Sequence, residues 1–191
     1  MNARYITYNQ QLAIPGLTPV FQSQSGIVYE VDSVLPKAFF VDSTITVQEP
    51  RQAFNLLFPG EVELASTAIV HNFEAETSPD SASGAEVTFY TGQEITIEVN
   101  RTKPGFLVIS EMYYPEGWVA LLNGEPVEIH RTNYLLRGIQ IPAGEHTLTL
   151  DFEPRSIMLG SRLSWISFFV QIGLLALLGF SYFRKSDAEE S

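Results

Sequence analysis

The chain has 191 residues, a net charge of -11 and no cysteine, which leaves room for one ordinary domain and excludes a disulfide scaffold or a thiolate metal site. No cluster of Lys or Arg opposes that charge, so the electrostatic term that dominates phosphate recognition is missing and nucleic-acid partners are excluded. Hydrophobic residues at 45% and aromatics at 12% are too many for a disordered chain.

After Met1 the chain reads NARYITYN, with neither the basic start nor the apolar run of a signal peptide. Short runs of period-two alternation then predict strands at Tyr5-Ile6, Ile27 to Val31, Ala38 to Val41 and Thr67 to Val70. Between the last two, PRQAFNLLF from Pro50 to Phe58 predicts a short helix, with Pro in the first turn and Phe54, Leu57 and Phe58 on one face. SPDSASG, Ser78 to Gly84, predicts an exposed loop.

Further strands are predicted at Glu86 to Tyr90, Glu94 to Val99, Phe106 to Ser110, Trp118 to Leu122, Tyr134 to Ile141 and His146 to Glu153. In EITIEV the residues Ile95, Ile97 and Val99 face one way, and in HTLTLDFE the core set is Leu148, Leu150 and Phe152. Asn123-Gly124 is a two-residue hairpin signal, because a type I′ turn needs positive φ at both positions, and Ala143-Gly144 marks a second turn. About ten short strands with one dry face suit two packed sheets. The predicted fold is mainly β, an antiparallel β-sandwich of jelly-roll or immunoglobulin-like type over residues 1–154.

A juxtamembrane linker, 155–162, leads to LSWISFFVQIGLLALLGFSYF, Leu163 to Phe183, which contains no charged residue. At 1.5 Å per residue its length matches a hydrocarbon core of about 30 Å, and a single C-terminal transmembrane helix is predicted, followed by a short tail, 184–191. Trp165 and Tyr182 take interfacial positions. Arg155 and Arg162 before the span balance Arg184 and Lys185 after it, so flanking charge does not orient it. Two placements follow: a tail-anchored adaptor with a cytosolic sandwich, or the end of a longer polytopic protein whose earlier helices export it.

Chemistry-bearing motifs are few. His71, His130 and His146 sit on predicted strands with no second ligand at metal spacing. No nucleotide-binding or nucleophile-elbow motif occurs, so no cofactor and no catalytic residue is assigned. Glu111 and Glu116 flank MYYPEGW and could form a glycosidase pair, although two acids beside one loop are unremarkable among 22. The aromatic corner itself has two readings. Tyr113, Tyr114 and Trp118 are what a sugar-binding surface presents, and also what a sandwich uses to fill its core; period two points Trp118 inward and one tyrosine outward. Arg137, inside an apolar strand, calls for a partner, and Glu111 or Glu128 could supply it as an ordinary inter-strand pair.

The run GFLVISEMYYPEGWVALLNGEPVEIHRTNYLLRGIQIPAGEHTLTLDFEP, followed at once by an apolar span, resembles the carboxyl-terminal region of the YfhO-like family of bacterial membrane proteins. Its Tyr-Tyr-Pro-Gly-Trp corner, Asn-Gly turn, Asn-Tyr-Leu-x-Arg-Gly strand and Pro-Ala-Gly-Glu-His lead-in carry the likeness, and ARYIT and VYEVDSVLPKAFFVDS extend it upstream. Two departures stand out: Glu116 is inserted between Pro115 and Gly117, and Val119 replaces a common Lys. The resemblance implies an extracytoplasmic sandwich on the bacterial cytoplasmic membrane, partnered by the bilayer and by a polytopic membrane domain of the same or another protein; envelope glycan is a further candidate partner, with Tyr113, Tyr114, Trp118 and Arg137 as its candidate contacts. It also implies sugar transfer onto envelope polymers, with the catalytic carboxylates in early extracytoplasmic loops of an amino-terminal array of membrane helices that these residues do not contain.

Overall fold

The computed structural model describes residues 2–58, 60, 62–154, 160, 161 and 163–175. Its strands, in chain order, are β1 (Tyr5–Tyr8), β2 (Leu17–Ser23), β3 (Gly26–Val31), β4 (Ala38–Val41) and β5 (Ser43–Val47). Helix α1 (Pro50–Leu57) follows, then β6 (Thr67–His71), β7 (Gly84–Tyr90), β8 (Glu94–Arg101), β9 (Gly105–Met112) and β10 (Trp118–Leu122). The last four are β11 (Glu125–Val127), β12 (His130–Thr132), β13 (Leu136–Ile141) and β14 (Gly144–Phe152). Two compact units divide the chain, Met1–Phe152 and Glu153–Ser191.

Alternation builds the core. In the five-stranded sheet, ordered β11-β10-β14-β8-β7, Ile95, Ile97 and Val99 of β8, Leu148 and Leu150 of β14, and Ala120 and Leu122 of β10 point to one side. Facing them from the six-stranded sheet, ordered β4-β9-β13-β12-β6-β5, are Ala38, Leu107, Ile109, Ile139 and Ile141, and all twelve make a single buried cluster. Each fully buried Ile, Leu or Val there contributes roughly 1.5–3 kcal/mol, and the two sheets are thereby held face to face.

The six-stranded sheet is dry on its other face as well. Phe39, Val41, Ala68, Val70, Phe106, Val108 and Leu136 form a second cluster, covered by Leu35, Phe73 and Ala75. For that reason β9 is buried continuously from Gly105 to Ile109 instead of alternating. Gly138 is part of this packing: a Cβ there would collide with the Phe106 ring and the Thr132 hydroxyl.

At the far edge β5 pairs parallel with β6, Ser43 opposite Thr67 and Val47 opposite His71, so this sheet is mixed and not purely antiparallel as predicted. Parallel neighbours need a crossover, and α1 provides it. Pro50 occupies the first turn, the Gln52 side chain accepts the N–H groups of Gln48 and Glu49, and Ala53 packs with Val47 and Ile69.

Residues 5–31 depart from the expectation of one sandwich. They form a separate three-stranded sheet, β1-β3-β2, built around Tyr29, which is fully buried and whose hydroxyl accepts the Leu12 N–H at 2.8 Å. Tyr134 also departs from its predicted strand. With Asn133 it takes a left-handed conformation, φ 47° and 69°, because the Asn133 side chain accepts the Ile69 N–H at 2.8 Å while its own N–H donates to the Ile69 carbonyl. Asn133 thus does the work of a strand partner, and β13 begins only at Leu136.

In the second unit, residues 160, 161 and 163–175 are helical, with the Trp165 ring 6.0 Å from that of Phe169. Among the described residues no helix is long and apolar enough to cross a membrane. The rest of the predicted span, from 176 to 183, and Arg155, Arg162, Tyr182, Arg184 and Lys185 lie outside the described residues.

Candidate functional site

The corner that joins β9 to β10 is made by Tyr113 to Gly117, with Gly117 at φ 98°. Beyond β10, Asn123 and Gly124 turn the chain with φ 52° and 87°, the pair of left-handed residues that a type I′ turn requires. The Asn123 side chain accepts the Thr147 N–H at 2.9 Å and so ties the hairpin to β14. These two turns bring the corner and β11 alongside β10. Between them Tyr113, Tyr114, Pro115, Trp118, Val119, Ala120 and Pro126 to Ile129 line a groove of about 360 Å³, within the range of roughly 300–1,000 Å³ usual for ligand sites.

Tyr114 is 52% exposed and Tyr113 half-buried. Trp118 is half-buried: it packs on the inter-sheet core and its ring against Phe152, its cross-strand partner, at 5.3 Å, and it is also among the residues that line the groove. Inward and outward roles are thus combined in one residue, which the alternation alone treats as exclusive.

Arg137 stands on the inner face of β13, two residues before Ile139, and is 3% exposed. It lies behind the groove and does not line it. The expected ion pair with Glu111 or Glu128 is absent; instead the guanidinium stacks on the Trp118 ring at 3.9 Å and Nε donates to the Met112 carbonyl at 2.9 Å. A bulge explains the change. Leu136 pairs with Met112 but Arg137 with Ile109, so Ser110 and Glu111 loop out of the ladder and carry the carboxylate elsewhere. Glu128, 80% exposed, lies beside His130. Burial lowers the Arg137 pKa against the opposing pull of Glu111, yet an Arg remains charged in such surroundings. Nη1 is buried with no hydrogen-bond partner among the described residues.

Glu111 reaches Lys37 at 2.7 Å and accepts from the Tyr90 hydroxyl at 2.8 Å, while the Lys37 ammonium lies 3.6 Å from the centre of the Tyr90 ring. Burial works against its charge, but the hydrogen bonds from Lys37 and Tyr90 outweigh burial and hold the carboxyl below its usual range. A carboxylate tied down in this way is a poor general acid, and neither Glu111 nor Glu116 lines the groove. Among the described residues no group of three or more His, Asp or Glu is placed to hold a metal ion.

The structure therefore brings Tyr113, Tyr114 and Trp118 onto one groove and sets Arg137 behind it. Pro126, Val127 and Ile129, the opposite wall, escaped sequence reasoning; the Asn-Gly turn, which folds β11 back on β10, was the available signal.

Residues 37–164 match the family described as Bacterial membrane protein YfhO, a span that begins just before β4 and leaves the upstream part of the resemblance, including ARYIT, outside it. No curated protein and no solved structure matches the chain.

Proposed function

The chain belongs to the YfhO family of bacterial membrane proteins, and on that premise we propose that its sandwich is an extracytoplasmic domain that holds envelope glycan in the aromatic groove. Its contribution to sugar transfer is to position the acceptor for a membrane-embedded catalytic region, with no catalysis of its own. The observation that carries this reading is the convergence of Tyr113, Tyr114 and Trp118 on a groove of about 360 Å³. Flat aromatic faces take the C–H faces of pyranose rings, and the tyrosine hydroxyls hydrogen-bond to sugar hydroxyls. The uncharged run from Leu163 to Phe183 serves as the span that anchors the domain.

Placement is tested with Ser81→Cys, in a chain that has no other cysteine. A membrane-impermeant maleimide should label it on intact protoplasts, and labelling only after lysis reverses the topology. Binding is tested by calorimetric titration of the purified chain with neutral and anionic oligosaccharides: saturable heat that Tyr114→Ala removes supports the reading, and the absence of heat with every sugar ends it.

A further inference from the structure

A second cavity lies where α1 meets the turn between β12 and β13. Phe54 and Leu57 of α1 and Phe58 just after it, with Leu35, Tyr134 and Leu135, bound a space of about 460 Å³, again a size that small ligands occupy. Three of these side chains remain open to water, Phe58 at 70%, Phe54 at 41% and Leu135 at 40%. They are gathered round one space and not scattered singly over the surface, as apolar side chains at an interaction site are.

The lining says what can enter. Only Ser110, Asn133 and Tyr134 bring polar side chains to it, and Asn133 Oδ1 is already engaged by the Ile69 N–H. An extended polypeptide would carry N–H and C=O groups into a space that offers them almost no partners, at a cost for each, and a helix, which pairs its own, is about 10–12 Å across and too broad to enter a space of this volume. A sugar would do the same with its hydroxyls. A hydrocarbon chain brings no such groups, and a protein of a bacterial membrane family has lipid chains as its neighbours.

We infer that this cavity binds one acyl chain of a membrane lipid. It is separate from the aromatic groove, with which it shares no lining residue, and the inference does not depend on glycan binding there. The Phe54 and Phe58 rings, stacked at 4.1 Å, and the Tyr134 ring, edge-on to Phe54 at 5.7 Å, form an aromatic wall along which the chain lies.

The test is photo-crosslinking of the full chain in detergent with a palmitate analogue carrying a terminal diazirine, followed by mass spectrometry of the digest. Adducts are expected on peptides containing Phe54 to Leu57 and Tyr134 to Leu136, and unlabelled palmitate should compete them away. Leu57→Trp, which fills the space, and Phe54→Asp, at an already exposed position, should each weaken labelling about tenfold or more. Adducts confined to the apolar helix at 163–175 overturn the inference. So does labelling that palmitate fails to compete, or labelling that stays unchanged in whichever variant keeps the wild-type melting temperature.

Discussion

Arg137 and Trp118 meet across the sandwich, the guanidinium carbon 3.9 Å from the centre of the indole, so that a cation occupies the layer Ile139 and Ile141 continue with hydrocarbon. With Nη1 lacking a hydrogen-bond partner among the described residues, the charge is held at a cost in desolvation, and an apolar residue of similar length should be tolerated. Arg137→Met is expected to leave stability within about 1 kcal/mol or to raise it, whereas Arg137→Ala should cost about 3 kcal/mol through the space it leaves under the indole. Chemical denaturation of both variants decides; an equal, large loss in each would mean that the charge itself holds the end of the sandwich together.

Trp118→Ala removes the ring that covers Arg137 and packs on Phe152. Because the indole is only half-buried, the expected loss is about 2–4 kcal/mol, below that of a fully buried Trp, lowering the melting temperature by roughly 10 °C for a domain of this size. Tyr114→Ala, at a side chain 52% exposed, should stay within about 1 kcal/mol of wild type. Thermal melts compare the two directly, and equal melting temperatures would contradict the placement of Trp118.

His130 is stacked on Phe73 with ring centres 3.7 Å apart, and burial lowers its pKa from 6.5 against a weaker opposing effect of Glu128. The folded state therefore binds this proton less readily than the unfolded state. Stability should be level above about pH 7 and fall as pH drops through about 6.5 toward the lowered value. His130→Phe keeps the stack and removes the proton. Unfolding free energies measured between about pH 5 and 8 should show the wild type losing ground to the variant on acidification, and parallel curves would contradict this.

Gly138→Ala places a methyl group against the Phe106 ring and the Thr132 hydroxyl, both fixed in a packed layer. Overpacking should cost about 1–3 kcal/mol, seen as a lower denaturation midpoint with an unchanged slope.

The strands that the sequence announces are alternating runs with one wet face, such as EITIEV and HTLTLDF, and short apolar runs dry on both faces, such as FLVIS. Of the four it hides, all but β5 are hidden for identifiable reasons. β2 contains Pro19 and is exposed along most of its length, β11 contains Pro126, and β12 is three residues defined by its neighbours more than by its composition. Tyr134 reads as the start of a strand because a left-handed aromatic is rare; only the Asn133 contact with Ile69, 64 residues away, makes it a turn. Arg137 was legible as a buried cation but its partner was not, since a two-residue bulge at Ser110 and Glu111 carries the carboxylate away and leaves an aromatic face. The three groove residues that fall within six positions of one another, Tyr113, Tyr114 and Trp118, were within reach of sequence reasoning; the wall from Pro126 to Ile129 depends on the hairpin.

Glycan bound in the proposed groove would lie against Trp118, which lines it. The chain has two tryptophans, so Trp165→Phe leaves Trp118 as the sole indole fluorophore, and its emission can be followed while oligosaccharides are added. A saturable change in intensity or wavelength, lost in Tyr114→Ala while the melting temperature holds, is the predicted result. Sugar binding detected by calorimetry with no change at Trp118, or a change that Tyr114→Ala leaves intact, would place the glycan elsewhere and contradict it.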